Sequence, residues 1–267
     1  MDHREVGRYW NDNADAWTRL ARQGYDIYRD LLNTPAFFEM LPDVSGCRAI
    51  DIGCGEGHNT RLLADRGAKV TAVDIAERFV HHAVAIERDE QRGIDYAIAS
   101  AVELPFADES FDAATAIMSL MDIPETERVI AESYRVLRPG GFLQFSITHP
   151  CFDTPRRKPV YDEQRRKVAV EVGDYFRHLE GDIEEWLFSG APADAKAGLA
   201  PFRVPRFTRT LSAWINLLID TGFVIERLGE PYPSDDAVRR NPRIARGRVV
   251  ADFLHVRVRK PARDSRE

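Results

Sequence analysis

Val6, Tyr9, Trp10, Ala14, Trp17 and Leu20 recur at close to helical spacing and predict an amphipathic helix over residues 5–20. A second helical stretch is expected over residues 25–40, interrupted at Asn33-Thr34-Pro35 because proline disfavours a helical residue before it. From residue 48 the pattern changes. Short apolar runs predict strands at 49–52, 69–73, 95–99, 111–117 and 142–148. Between them, helical periods are expected at 59–66, 78–90 and from Pro124 to about residue 137. Gly67 stands where a helix is closed by a residue of positive φ, Pro124 suits a first helical turn, and Pro139-Gly140-Gly141 punctuates the entry to the fifth strand.

Strands alternating with helices at this spacing indicate an α/β protein with a doubly wound, mostly parallel sheet. A helix at 210–220, ended by Gly222, and strands at 223–228 and 249–258 bring the sheet to seven strands. Residues 150–206 mix prolines, charge pairs and scattered aromatics over a length too great for a simple loop, and read as an inserted lid. The expected organisation is one domain over 1–267. It comprises a helical cap (1–44), a ligand-binding core (45–149), the lid (150–206) and a C-terminal helix with the final strand pair (207–267).

The chain has 267 residues, of which 44% are hydrophobic and 30% charged, enough apolar material for a sizeable core. Its net charge of −6 argues against a protein whose main task is gripping nucleic-acid phosphates. Residues 1–150 hold 15 basic and 25 acidic residues, the remainder 22 and 18. Arg239, Arg240, Arg243, Arg246 and Arg248 form the densest basic cluster, either a solvated loop or a recognition patch. The longest weakly polar stretch, residues 113–121, is broken by Thr115 and Ser119 and falls short of the ~20 apolar residues of a membrane span. No signal sequence is evident, so a cytoplasmic protein is expected. Cys47, Cys54 and Cys151 lack metal or disulfide spacing and read as reduced thiols, with no metal expected.

The chemistry concentrates in Ala49-Ile50-Asp51-Ile52-Gly53-Cys54-Gly55-Glu56-Gly57, an acid near the end of a buried strand followed by a glycine-rich turn into a helix. Glycine there lets backbone approach a ligand closely. Asp74 follows Gly55 by nineteen residues, near the offset at which an acid hydrogen-bonds a ribose hydroxyl. The G-x-G-x-G spacing departs from the dinucleotide pattern, and the charge of Asp51 would repel a pyrophosphate and attract a cation. S-adenosylmethionine meets these demands: an ammonium for a carboxylate, a ribose diol for Asp74, and no phosphate.

At these residues the chain resembles the class I S-adenosylmethionine-dependent methyltransferases of small-molecule type, over roughly residues 45–150. Asp51, Gly53, Gly55 and Gly57 match the cofactor loop of that family and Asp74 its ribose acid; residues 99–106 match its third-strand motif, followed by Asp108-Glu109-Ser110-Phe111-Asp112, and Leu137-Arg138-Pro139-Gly140-Gly141 its turn before the fifth strand. The resemblance implies a Rossmann-like methyltransferase fold, with S-adenosylhomocysteine as product and no metal. The family usually places an aspartate for the adenine amino group where Ser100 stands here. A hydroxyl accepts that bond less strongly, so adenine recognition would lean on backbone and on the apolar walls Ile75 and Ala101, with Met118 nearby; Ile75 and Met118 equally suit an ordinary core.

Tyr25-Asp26-Ile27-Tyr28-Arg29-Asp30 and His149-Pro150-Cys151-Phe152 resemble a bacterial subgroup of these enzymes. By analogy the N-terminal helices close over the cofactor. Tyr25, Arg29 and Asn59 then join the cofactor residues, Arg29 as a carboxylate clamp or simply a solvated side chain, and Tyr28 faces the acceptor. Ligands of open α/β sheets lie beyond the carboxyl ends of the strands, which places Met121, Asp122, His149 and Cys151 in the acceptor site. His149 is the candidate base for an acceptor proton, or else ties down the start of the lid. Asp122 is a second candidate base, or a helix cap before Pro124. Trp186 and Phe188 in the lid suggest a flat apolar acceptor, or else simply hold the insertion down.

The sulfonium already activates the methyl group, so the protein need only align an acceptor and exclude water. The expected activity is therefore N- or O-methylation of a small, aromatic or heteroaromatic acceptor by a monomer or homodimer, with no membrane or nucleic-acid partner. An RNA methyltransferase and a non-catalytic S-adenosylmethionine-binding regulator are the alternatives.

Overall fold

The structure, a computed structural model, describes residues 1–263. Helix α1 (His3–Arg22) is capped by the Asp2 carboxylate, which accepts from the Glu5 amide, and carries arginines in its last turn, favourable to the helix dipole. A π-helical turn (Arg29–Asn33) leads directly into α2 (Thr34–Met40). The expected interruption at Pro35 is thus corrected. Thr34 is helical, and its N–H reaches back five residues to Arg29 O, the register slip that lets a proline be carried in the first turn of α2.

The core then alternates as expected: β1 (Arg48–Ile52), α3 (His58–Ala64), β2 (Lys69–Asp74), α4 (Glu77–Glu90), β3 (Asp95–Ile98), β4 (Phe111–Ile117), α5 (Thr126–Val136) and β5 (Leu137–Thr148). The Pro139-Gly140-Gly141 turn is not outside the fifth strand but part of it. Gly140 N–H donates to Lys260 O and Lys260 N–H to Gly141 O, so the C-terminal strand captures this segment.

Residues 150–206 form two antiparallel hairpins, β6 (Arg156–Tyr161) with β7 (Lys167–Gly173), and β8 (Glu180–Trp186) with β9 (Phe202–Phe207), plus the short α6 (Ala193–Lys196). Their sequences hide the strands because β6 and β7 are largely exposed, leaving no buried face to impose an alternation. After α7 (Leu211–Asp220) and β10 (Val224–Gly229) come α8 (Asp235–Arg240) and a 3-10 stretch (Pro242–Arg248), which the sequence pattern did not reveal. The last strand, β11 (Phe253–Arg259), starts later than expected, so Asp252 lies in a loop at its mouth.

The seven strands run β10-β11-β5-β4-β1-β2-β3, parallel except for β11, which is antiparallel to both neighbours. Ile50, Ile52, Ala114, Leu143 and Phe145 face α5 and α7, packing with Val129, Ile130, Trp214 and Leu218. On the other face Ala49, Val70 and Ala113 meet Phe37, Phe38 and Leu63. The strand order reverses between β1 and β4, the topological position where open α/β sheets bind ligands.

Candidate active site

A cavity of about 710 Å³ opens at this switch point, within the ~300–1,000 Å³ typical of small-molecule sites. The carboxyl ends of β1, β2, β4 and β5 form its floor, α1 and the π-helical turn one wall, and the β8–β9 hairpin another.

The glycine loop is tied to β2 by Gly53 and Cys54 N–H groups, both donating to Val73 O at 2.8 and 3.0 Å. Gly53 has φ +71°, and a Cβ there would overlap the Ser119 side chain, whose hydroxyl donates to Ile52 O. Only glycine fits this crossing of β1 and β4. At Gly55, by contrast, a Cβ would meet nothing within 4 Å, so bare backbone borders the cavity.

Asp74 accepts from Gly55 N–H through Oδ2 and from Ala76 N–H through Oδ1, each at 2.8 Å. Each oxygen keeps a lone pair for a further donor, the arrangement a ribose diol requires. Burial pushes Asp74 up to about 6, opposed by these amide bonds and assisted by nearby Asp51. Asp51 borders the cavity but is committed elsewhere. Its Oδ2 accepts from Thr60 Oγ1 at 2.6 Å and its Oδ1 from Thr115 Oγ1 at 2.8 Å, lashing α3 and β4 to β1. An open acceptor near the loop is instead Oε1 of buried Glu56, which has no hydrogen bond among the described residues, while Asp26, raised by burial to about 6, accepts from Arg29 N–H at 3.2 Å. Oε2 of Glu56 is held by Arg22 at 2.9 Å and Arg61 at 3.2 Å.

All eleven residues expected to hold the cofactor line the cavity: Tyr25, Arg29, Asp51, Gly53, Gly55, Asn59, Asp74, Ile75, Ser100, Ala101 and Met118. Arg29 is not solvated. Its Nε donates to Asp30 at 2.7 Å, and it stands 3.8 Å from Glu56 Oε1. Asn59 accepts from Thr34 Oγ1 at 2.9 Å. Met118 adopts φ +57°, a conformation that a non-glycine residue holds only under local constraint. Of the acceptor-site residues, Tyr28, Met121, Asp122 and Trp186 also line the cavity.

His149 and Cys151 do not, which corrects their expected roles. His149 is buried, its Nδ1 accepting from Cys151 N–H at 3.2 Å and its Nε2 2.8 Å from Glu230. An Nδ1 that accepts leaves the proton on Nε2, which donates to Glu230, so no ring lone pair remains for an acceptor proton. The side chain ties the start of the lid to the loop after β10.

Sequence reasoning missed several wall residues. Trp10 and Trp17, one helix face apart by seven residues, stack edge-on at 5.3 Å, and Phe79 lies 6.5 Å from Trp10. Their helical spacing was the available signal. Asp153 and Arg157 from one segment, and Arg206 and Asp252 from two others, carried none. The arginine cluster is largely engaged: Arg239 with Asp236, Arg248 with Asp235 and Pro233 O, and Arg243 with Ser189 O. Among the described residues no helix is long and apolar enough to cross a membrane, and no group of three or more potential ligands could hold a metal.

Residues 50–145 match a family described as a methyltransferase domain. The chain is similar to the 27-O-demethylrifamycin SV methyltransferase of Amycolatopsis mediterranei, 36% identical over 64% of this chain and 62% of the relative. It is 30% identical to the demethylmenaquinone methyltransferase of Tropheryma whipplei over 68% of this chain and 77% of that protein. A crystal structure of an S-adenosylmethionine-dependent methyltransferase from Mesorhizobium loti superimposes with a TM-score of 0.68 at 29% identity, covering 84% of this chain and 96% of that one. The chain therefore belongs to the S-adenosylmethionine-dependent methyltransferase family. It spans less than two thirds of the length of the rifamycin enzyme.

Proposed function

We propose that this protein transfers a methyl group from S-adenosylmethionine to a nitrogen or oxygen of a small, aromatic or heteroaromatic acceptor. The observation that carries this reading is Asp74, braced by two backbone amides with one lone pair per oxygen still open, beside a glycine turn whose backbone borders the cavity. Asp74 holds the ribose. Ile75, Ala101 and Phe79 enclose the adenine, with the Ser100 hydroxyl at its edge, while Tyr25, Arg29 and Asn59 close on the methionine end. The bound cofactor supplies an activated methyl group.

The protein aligns and dehydrates the site rather than attacking covalently. Helix α1 and the β8–β9 hairpin form the roof through Asn13, which donates to Arg203 O at 3.0 Å and accepts from Arg203 N–H at 3.1 Å. Trp17 packs against Trp186, Phe188 and Phe202 at centroid distances of 5.2, 4.8 and 4.8 Å. The relatives named for rifamycin and menaquinone precursors support a small-molecule acceptor, and the aromatic roof supports a flat one.

Calorimetric titration with S-adenosylhomocysteine tests the cofactor half. Asp74→Ala is expected to weaken binding by ~1.5–3 kcal/mol, the worth of hydrogen bonds to a charged group. Unchanged affinity in the variant would refute the ribose assignment, and absence of binding to the native protein would refute the function.

A further inference from the structure

The acceptor end of the cavity carries an unbalanced set of charges. Asp153 Oδ1 is pinned by Arg157 at 2.5 Å and Arg206 at 2.8 Å, and Arg206 also lies 3.3 Å from Glu184. Both guanidinium groups of this wall are thereby engaged. Asp122, in the 3-10 turn Leu120–Asp122 just past β4, faces the same cavity, and its carboxylate accepts no hydrogen bond from the described residues. Asp252, before β11, also lines the cavity, and its Oδ2 is buried without a hydrogen-bond partner among the described residues. Lys167 and Arg157 act on Asp252 from the β6–β7 hairpin, while Asp153 repels both Asp122 and Asp252.

We propose that this end of the cavity recognises an acceptor bearing a cationic amine, with the Asp122 carboxylate as its direct partner and Asp252 as a second acceptor of its N–H groups. This deepens the methyl-transfer reading and rests on it. A carboxylate partly withdrawn from water with no hydrogen-bond donor on it is costly to keep charged, and a ligand ammonium offsets that cost where a neutral hydroxyl does so only in part. Burial raises the Asp122 carboxyl well above the usual range, Asp153 adding to the effect and Arg206 opposing it. Tyr28, Trp186 and Phe253 also line the cavity, and aromatic rings there add to the attraction for a cation. Asp122 is also placed to receive one proton from the bound ammonium on a carboxylate oxygen, leaving the nitrogen lone pair free.

The test is calorimetric titration of the protein, with and without saturating S-adenosylhomocysteine, using 2-phenylethylamine and its neutral analogue 2-phenylethanol. The amine is expected to bind about tenfold tighter or more, the worth of one charge-assisted hydrogen bond. That preference is expected to vanish in Asp122→Asn and to shrink in Asp252→Asn, while both variants keep native affinity for S-adenosylhomocysteine. Equal affinity for the two probes in the native protein, including no detectable binding of either, overturns the inference. So does an Asp122→Asn or Asp252→Asn variant that retains the full preference. Should Asp122→Asn not fold, Asp252→Asn carries the test. Failure to bind S-adenosylhomocysteine overturns the methyl-transfer reading separately, since the amine titration is also run without it.

Discussion

The β1–β2–β3 side of the cavity and its β4–β5–β11 side line one space but are assembled differently. On the first, residues 51–59, 73–75 and 99–101 are the turns that follow three successive strands, and backbone does much of the work: glycines at positive φ, amides braced on Asp74, a carbonyl of β2 holding the loop. On the second, Tyr28, Asp122, Arg206 and Asp252 converge from four separate segments and act through side chains alone. A nucleoside can be gripped by a fixed backbone turn, and that turn constrains sequence. An acceptor wall made of side chains on unrelated loops imposes no local pattern, so it is free to vary.

The largest test of this contrast is Phe202→Ala. Phe202 is fully buried in the aromatic cluster that joins the β8–β9 hairpin to α1, and its truncation is expected to cost ~3–5 kcal/mol in urea denaturation. If the roof folds with the core, one cooperative transition shifts; if it opens separately, an early transition appears at tryptophan fluorescence while the core is unmoved. Next comes Gly53→Ala, which forces an alanine to φ +71° and into Ser119. A loss of ~1–3 kcal/mol of S-adenosylhomocysteine affinity is expected from the strain, with 2-phenylethylamine binding in the unliganded protein preserved. Parallel loss of both ligands would erase the distinction between the two sides.

The smallest effect is on pH dependence. Asp74 is raised to about 6, so it is ionised above that value and protonated below it. Since ribose hydroxyls donate to the ionised form, affinity is expected to be level above pH ~6 and to fall about tenfold per unit below it for a single proton taken up. Asp26 titrates near the same value, so Asp74→Asn should flatten the slope only by the share belonging to Asp74. An unaltered slope in that variant would assign the whole dependence to other groups.

How much was legible follows the same division. The strands of the core were readable because both faces of the parallel sheet are buried, which demands apolar runs such as residues 113–117 with few interruptions. Pro35 misled because its effect was judged from the residue before it, while the chain accommodates it by a turn of different helical pitch. The β6–β7 hairpin was invisible since its strands are largely exposed to water. His149 was drawn to the acceptor site by its place after β5, but Glu230, 81 residues distant, turns it away.

The sequence by itself determined the doubly wound sheet, the glycine turn and the acid at the end of the second strand, because each follows from short-range steric and periodic constraints. The tertiary structure alone decided that Asp51 is spent on Thr60 and Thr115, that Asp252 Oδ2 is buried with no hydrogen-bond partner among the described residues, and that α1 and the β8–β9 hairpin meet as a roof. Electrostatic balance and burial are sums over neighbours brought together from distant parts of the chain, and only the folded arrangement sets those distances.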